Sequence, residues 1–209
     1  GVHAPRRGGE GGPLNHPVEP LLRFNSAPVQ RLRRLLGAGR RERPTDTIVV
    51  EGAILLAEAH RAGWEVVEQF VAPTAEPLDV ATDVVHRCAA GVVERVSRLS
   101  SSPGLIAVVR RGDAAVVDLT TAAFVVVADQ VSEPGNLGTI LRSAEAAGAD
   151  AVVVTPGTVD VGNDKVVRAS AGAIFHLPTV VATLDEVGAA GLRRVGTSSH
   201  RGSSDRDAD

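Results

Sequence analysis

Two segments in the second half of the chain carry residues whose types and spacing suit the binding of an anion. In the first, Asn136, Gly138 and Arg142 follow the apolar run Phe124–Ala128 and fall in a predicted helix. Asn136 can cap that helix, and free backbone N–H groups at a helix start attract negative charge. Arg142 lies within the first two turns and can reach the same loop. The alternative is a capped helix with an arginine on its surface.

The second segment follows the apolar run Ala151–Val154 and contains the pattern K-x-x-R-x-S, formed by Lys165, Arg168 and Ser170. Lys165 and Arg168 are three residues apart, so a helix places them on one face. Two cations beside a glycine-rich loop suit a phosphate backbone. Lys165 is also the sole lysine among 22 basic residues, which suggests that this position requires the shape of a lysine side chain. The alternative is that these charges only keep the helix soluble.

The elements that position both segments alternate between strands and helices, which predicts an α/β fold. In such a fold, ligands lie at the carboxyl ends of parallel strands, where both segments fall. The continuous apolar runs 124–128 and 151–154 are typical of strands buried on both faces. The other predicted strands are 47–50, 66–71, 92–96, 105–109 and 194–197, and the predicted helices are 29–36, 53–61, 78–89, 136–147, 164–171 and 183–190.

Charged residues are distributed unevenly along the chain. Residues 1–43 hold nine arginines against three glutamates, whereas the remainder is acidic, and a basic segment on an acidic body points weakly to nucleic acid. The alternative is a solvated arginine-rich tail. We predict a disordered arm over 1–26, a small α/β domain over 27–110, a linker over 111–121 and a second domain over 122–209.

Several classes of function are excluded by composition. One cysteine rules out a disulfide framework or a multi-cysteine metal site, and the six histidines lack the spacing of metal ligands. Aromatic residues make up 2%, which argues against a binder that stacks bases on rows of rings. No uncharged apolar stretch is long enough to cross a membrane, and no secretory segment opens the chain, so the expected location is a reducing cytoplasm.

Taken together, the two anion-binding segments resemble the first two motifs of the SpoU (TrmH) family of RNA ribose 2′-O-methyltransferases. The order of the motifs and the gap between them match as well. Upstream, RLRRLL, IVVEGAILLAEAHRAG, VEQFVAP and VSRLSSSPGLIAVVR resemble the small N-terminal substrate-binding domain of that family, so the resemblance covers about residues 28–200. The matching motif positions are Asn136, Gly138 and Arg142, then Asn163, Lys165, Arg168, Ser170, Gly172 and Pro178.

The resemblance implies a fold, a cofactor and a substrate. The expected architecture is a small N-terminal α/β domain followed by a parallel-sheet SPOUT methyltransferase domain of the trefoil-knot type. The expected reaction moves a methyl group from S-adenosylmethionine to a ribose 2′-hydroxyl of ribosomal or transfer RNA, in a homodimer without metal or membrane. Arg142 is the expected catalytic residue, with Asn136 orienting it or the ribose. The expected RNA contacts are Lys165, Arg168, Ser170, Arg31, Arg33 and Arg34, and the expected structural positions are Gly138, Asn163, Gly172 and Pro178.

The sequence departs from the family after its last predicted strand. The third motif, a Gly-Asn-Glu-like turn with an Ile-Pro-Met-like loop and a Ser-Leu-Asn-Val helix, does not occur in it. The resemblance therefore predicts an incomplete methyltransferase domain that lacks the C-terminal knot segment. Of the residues expected to contact the cofactor, it retains Thr197. The alternative function is a non-catalytic RNA-binding remnant without a cofactor pocket.

Overall fold

The computed structural model describes residues 20–37, 44, 46–111 and 117–196, which build two β-sheets with helices packed against them. Thr197 and residues 1–19 lie outside this part of the chain. The elements up to residue 110 are α1 (Ala27–Gly37), β1 (Thr47–Glu51), α2 (Ala53–Arg61), β2 (Glu65–Val71), β3 (Thr82–Arg87), α3 (Val92–Val96) and β4 (Leu105–Arg110). Those that follow are β5 (Val125–Ala128), α4 (Pro134–Ala146), β6 (Ala151–Val154), α5 (Asp164–Ala169), α6 (Ala173–His176), β7 (Thr179–Val181) and α7 (Leu184–Ala189).

The first sheet has four strands in the order β1-β4-β2-β3, and only the β2–β3 pair is parallel. Alternate residues of a strand point to opposite faces, and β1 shows this clearly. Ile48 and Val50 belong to one apolar cluster with Leu56 of α2, while Val49 belongs to another with Val29 of α1 and Val93 of α3. Helix α2 therefore covers one face, and α1 and α3 cover the other.

The second sheet has three parallel strands in the order β5-β6-β7. All four residues of the central strand β6 are buried, which explains its unbroken run of alanine and valine. Strand β5 has a similar run of valine and alanine, yet Val125, Val126 and Val127 are only partly buried. The α/β fold and its parallel sheet are confirmed.

Two elements of the first sheet differ from the prediction. The helix predicted over 78–89 is instead the strand β3, which pairs in parallel with β2 from Thr82 to Arg87. Its backbone hydrogen bonds to β2 outweigh the local helical pattern. The strand predicted over 92–96 is instead the short helix α3, which follows Gly91 in a left-handed conformation. A short apolar run does not show by periodicity alone which of the two it will form.

Three further differences lie near the ends of the predicted elements. Strand β7 was missed, and it is only three residues long. Residues 194–196 form no strand. Residues 20–26, which we assigned to the disordered arm, are ordered against the first sheet. Leu22 there forms a β-bridge with Cys88, and Phe24 packs beside the cluster of α1 and α3, since both side chains are apolar and cover that cluster.

The two sheets share one hydrophobic cluster, and α2 faces the second sheet's helices. The Trp64 indole N–H donates to the carbonyl oxygen of Phe175 at 3.0 Å, and the two rings meet edge to face with centroids 5.2 Å apart. Nearby, His176 Nε2 lies 2.8 Å from a carboxylate oxygen of Glu58. These contacts fix α6 against the first sheet. No described helix has the length and apolar character needed to span a membrane.

Replacing Trp64 by Phe will destabilise the protein by about 1–3 kcal/mol, because the buried Phe175 carbonyl loses its donor. The measurement is urea unfolding followed by far-UV circular dichroism, since Trp64 is the sole tryptophan. Phe124→Leu, at an exposed ring, is the control and should change stability little. Equal effects of the two substitutions would show that the indole hydrogen bond contributes nothing.

A second prediction concerns pH. The Asp150 carboxylate accepts the backbone N–H groups of Ala123 and Phe124, at 2.7 and 2.9 Å, and these bonds lower its pKa. The charged carboxylate therefore stabilises the folded state above the unfolded pKa of about 3.9, and this stabilisation disappears as the pH falls through the lower folded value.

Asp150→Asn removes that charge, so it will lower the melting temperature at pH 7, and the difference from the parent will shrink below about pH 4. Glu145→Gln, which removes an exposed charge without a hydrogen-bonding partner in the described residues, is the matched control. A difference that stays constant between pH 7 and pH 3 would contradict the assignment.

Candidate functional site

Helix α4 begins two residues earlier than the sequence indicated, at Pro134, and this changes the role of Asn136. Glu133 is the N-cap, and its carboxylate accepts the backbone N–H of Asn136 at 2.8 Å. Pro134 occupies the first turn, where the missing N–H of proline costs no helical hydrogen bond. Asn136 is therefore not the cap. Its side chain is exposed and has no hydrogen-bonding partner among the described residues, so it is available to a ligand.

Gly138 is the point at which the two motifs meet. A Cβ atom placed on it would lie 2.4 Å from the Cβ of Ala169 and 2.8 Å from the Ala169 carbonyl carbon. Only glycine allows α4 and α5 to approach this closely. Residues four apart on a helix have Cβ atoms about 5–6 Å apart. Arg142 therefore lies one turn beyond this contact on α4, and Lys165 lies one turn before it on α5.

Arg142 and Lys165 are the available cations of this region. Both side chains are exposed, and neither forms an ion pair or a hydrogen bond with any described residue. Guanidinium and ammonium groups without a carboxylate partner attract phosphate. The structure thus places two unpaired positive charges beside the helix contact and leaves Asn136 exposed on the same helix as Arg142.

Arg168 is engaged within the protein. Its guanidinium donates to Asp164 at 2.8 Å and lies 3.9 Å from a carboxylate oxygen of Glu51, whose side chain is 3% exposed. The Glu51 carboxylate also accepts the Ser97 hydroxyl at 2.5 Å and the Arg98 backbone N–H at 3.1 Å. Arg168 therefore connects α5 to the first sheet and compensates the charge of a buried carboxylate.

The remaining motif-two residues shape the turn. Ser170 is fully buried, and its hydroxyl donates to the Val167 carbonyl at 2.7 Å, so it offers no surface to RNA. Asn163 caps α5 by accepting the Lys165 N–H. Gly172 has a φ of 101°, and a Cβ there would lie 2.7 Å from Glu58 Cγ. The Pro178 carbonyl accepts the N–H of Val152, which sets the start of β7.

The sequence analysis missed the residues that join the two site loops. The Thr155 hydroxyl donates to Asp129 at 2.7 Å and accepts the Gln130 N–H at 3.0 Å, while the Thr158 hydroxyl donates to the Ala128 carbonyl at 3.0 Å. Gln130 has a positive φ of 52°. These polar side chains follow neighbouring parallel strands, and that placement was the signal that could have identified them.

The three arginines predicted on α1 have different surroundings. Arg31 pairs with Glu68, and a carboxylate oxygen of Glu68 also lies 2.9 Å from His86 Nε2. Arg33 donates to Gln30 and lies over the Phe24 ring. Arg34 is exposed and has no partner among the described residues. Arg31 is thus largely neutralised, whereas Arg33 and Arg34 keep their charge.

A cavity of about 260 Å³ lies between β1 and the ends of β6 and β7. Arg111 lines it, and burial lowers the pKa of that guanidinium. Thr179 also lines it, with a buried hydroxyl that has no partner among the described residues. Such an orphaned group in a polar cavity is typical of a bound water. Across the described ranges, no three carboxylate, histidine or cysteine side chains cluster as metal ligands would.

Comparison with known proteins bears directly on this geometry. Residues 123–208 match the model of the SpoU rRNA Methylase family. The 23S rRNA (guanosine(2553)-2′-O)-methyltransferase RlmP of Bacillus subtilis is 32% identical over 190 residues, covering 87% of this chain and 75% of that protein. The chain belongs to the SpoU rRNA methylase family. The mitochondrial rRNA methyltransferase 3 of Mus musculus is 34% identical over 145 residues, and the chain spans 34% of its length.

Solved structures agree with the fold. A crystal structure described as an RNA 2′-O ribose methyltransferase superposes with a TM-score of 0.63 at 30% identity, covering 79% of this chain and 67% of that one. The SpoU methyltransferase AviRb from Streptomyces viridochromogenes, in complex with AdoMet, superposes with a TM-score of 0.66 at 27% identity, covering 78% and 66%. The expected SPOUT-type parallel sheet is therefore shown by likeness to solved members.

The polar side chains at the carboxyl ends of β5 and β6, the edge where a parallel sheet binds its ligands, already have partners within the protein. A site for a nucleoside needs an apolar cleft with a few polar groups left free. The side chains of Asp129, Thr155 and Thr158, at the carboxyl ends of β5 and β6, are instead bonded to one another or to the backbone. Thr197, the expected cofactor contact, lies outside the described residues.

Gly138→Ala will destabilise the protein by about 1–3 kcal/mol, because the added methyl group forces α4 and α5 apart. The matched control is Gly188→Ala on α7, where the new Cβ would meet only the mobile end of the Arg194 side chain, at 3.3 Å. Alanine is the better helix former, so the control should be neutral or stabilising. Thermal unfolding of both variants tests this, and equal melting temperatures would refute the close contact.

Proposed function

We propose that the protein transfers a methyl group from S-adenosylmethionine to a ribose 2′-hydroxyl of ribosomal RNA. The observation that carries the proposal is the close contact at Gly138, which sets the unpaired cations Arg142 and Lys165 one turn from the same point. The names of the relatives, which include 23S and mitochondrial rRNA methyltransferases, support the reaction and the substrate. The AdoMet complex of AviRb supports the cofactor.

Arg142 acts on the oxygen that accepts the methyl group. The bound cofactor supplies an electrophilic methyl on a sulfonium, and the 2′-hydroxyl is a poor nucleophile until its proton leaves. A guanidinium stays protonated in proteins, so Arg142 is not the base. It holds the neighbouring phosphate and stabilises negative charge developing on the oxygen, while phosphate or water takes the proton.

The other site residues position the RNA. Asn136, exposed at the start of α4, orients the ribose or Arg142. Lys165 binds the RNA backbone as an unpaired charge at the start of α5. Arg168, held by Asp164 and Glu51, keeps α5 in place against the first sheet, and the buried Ser170 positions the turn that follows. An RNA-binding remnant would not need Asn136 and Arg142 kept free, which favours the catalytic function.

We also propose that the protein works as a homodimer in the cytoplasm, with residues 27–110 as the substrate-binding domain. Exposed apolar side chains in the second sheet's part of the chain support the dimer, because such groups are common at interfaces. The cytoplasm is where bacterial ribosomal RNA is modified, and RlmP is a bacterial relative. The exposed apolar residues are Phe124, Val181, Leu184 and Val195.

Arg142→Ala will lower the rate of methyl transfer by a factor of at least about 10² to 10³, because the donor that stabilises the developing negative charge is lost. It will leave the melting temperature nearly unchanged, because the exposed Arg142 side chain forms no hydrogen bond or ion pair with any described residue. The measurement is transfer of labelled methyl from S-adenosylmethionine to unmodified ribosomal RNA.

Two variants make this result specific. Arg142→Lys keeps the charge but loses the planar fork of donors, so a small residual activity is expected. Arg61→Ala removes an exposed arginine from the end of α2, and it should leave the rate at the parental level. Full activity in the Arg142→Ala variant would remove this residue from the mechanism.

A further inference from the structure

The cavity of about 260 Å³ between β1 and the ends of β6 and β7 combines an apolar floor with charged groups, and we call it the seam cavity. Its floor contains the buried Ile48 and Val154 and the partly buried Val161. A water molecule takes up about 30 Å³ in the liquid, so the seam cavity has room for one small organic molecule. Because the floor has no aromatic ring, it suits an aliphatic group.

Arg111 is a half-buried cation in the wall of the seam cavity. Its guanidinium carbon lies 5.1 Å from the centroid of the Trp64 ring, which attracts the positive charge. The guanidinium forms neither an ion pair nor a hydrogen bond with any described residue. A charge that is partly removed from water without a partner costs free energy. Arg111 therefore favours a ligand that brings a carboxylate into the seam cavity.

Thr179 supplies a second group without a partner. Its hydroxyl is buried and forms no hydrogen bond with the described residues. The hydroxyl cannot turn away freely, because parallel pairing with Val152 of β6 fixes the backbone of Thr179. A hydroxyl both donates and accepts, so it can donate to an oxygen of a carboxylate that also faces Arg111.

Two carboxylates of the protein also line the seam cavity and restrict the charge of its ligand. Asp46 is exposed and accepts the Thr47 hydroxyl at 3.1 Å, while Asp160 accepts the Gly162 N–H at 3.1 Å. These carboxylates would repel a simple anion, and Arg111 would repel a simple cation. A molecule that carries both a carboxylate and an ammonium group is attracted by both kinds of charge.

We propose that the seam cavity binds a free α-amino acid with an aliphatic side chain. The amino acid places its carboxylate on Arg111 and Thr179, its ammonium on Asp46 and its side chain on the apolar floor. A guanidinium and a carboxylate form two parallel hydrogen bonds. The carboxylate also replaces the water that the Thr179 hydroxyl otherwise needs. This inference does not depend on the proposed function, because none of the three residues belongs to the candidate site.

The test uses Trp64 as its reporter. It is the sole tryptophan, and Arg111 lies over its ring, so a ligand on Arg111 will change its fluorescence. The full chain is titrated with valine, leucine, isoleucine and methionine, by fluorescence and by calorimetry. At least one should bind saturably, with a Kd on the order of 0.1 to 1 mM for so small a ligand. Its 2-oxo acid, which lacks the ammonium, and its amide, which lacks the carboxylate, should bind at least about tenfold more weakly.

Variants of the two unpartnered groups locate the binding. Arg111→Gln should weaken it at least about tenfold, and Arg111→Lys, which keeps the charge without the planar fork, should weaken it less. Thr179→Val should weaken it by about 2 to 10-fold, and it should maintain or raise the melting temperature of the free protein, because a buried hydroxyl without a partner is removed.

The matched control is Arg110→Gln. Arg110 is adjacent in the chain, but it pairs with Glu65 and does not line the seam cavity. This variant should bind the amino acid with the affinity of the parent. Circular dichroism melting checks that every variant is folded.

A second control separates the seam cavity from a cofactor pocket, because S-adenosylmethionine also carries an α-amino acid group. The titration is repeated with excess S-adenosylhomocysteine, the product that remains after methyl transfer. An unchanged affinity for the amino acid is expected, whereas competition between the two would overturn the proposal. If the protein binds no S-adenosylhomocysteine, the proposed function is in question, and the amino acid titrations still decide the role of the seam cavity.

Three further results would overturn the proposal. One is the absence of saturable binding for all four amino acids. Another is binding that Arg111→Gln leaves undiminished, which would place the ligand elsewhere. The third is an equal affinity for the amino acid and its 2-oxo acid or amide, since the charges of the seam cavity would then not be recognising both ends of the molecule.

Discussion

The close contact between Gly138 and Ala169 is the constraint on which the candidate site depends. It brings the backbones of α4 and α5 together without an intervening side chain. Each helix follows a strand of the parallel sheet, so each presents its first turns at the same edge. Arg142 on α4 and Lys165 on α5 each lie about one turn from this contact, so it positions residues of both motifs. A larger residue at position 138 would push the two helices apart.

Some basic residues are paired within the protein and others are not, and only the unpaired ones are available to an anionic ligand. Arg31 and Arg168 lie on buried or half-buried carboxylates, where they compensate charge and join elements. Arg142 and Lys165 have no such partner in the described structure and keep their full attraction for phosphate. The same motif therefore contains one cation paired within the protein, Arg168, and one exposed cation without a partner in the described residues, Lys165.

The first sheet and its helices contact α5 and α6, which belong to the second sheet's part of the chain. Glu58 of α2 pairs with His176 of α6, and Trp64, between α2 and β2, donates its indole N–H to the Phe175 carbonyl of α6. Glu51 at the end of β1 reaches Arg168 of α5. A change in the first sheet would thus be transmitted to the turn that holds Lys165. One apolar cluster contains residues of both sheets, so the first sheet ends near residue 110 but its hydrophobic core continues into the second sheet.

The sequence by itself determined the α/β class, the buried central strand β6 and the two motifs, because these depend on local apolar runs and on residue spacing. It misjudged β3 and α3, whose form depends on partners distant in the chain. Only the tertiary structure decided that Ser170 is buried and that Arg168 lies beside the buried Glu51. Those outcomes follow from which groups meet across the fold, and spacing along one chain does not encode such meetings.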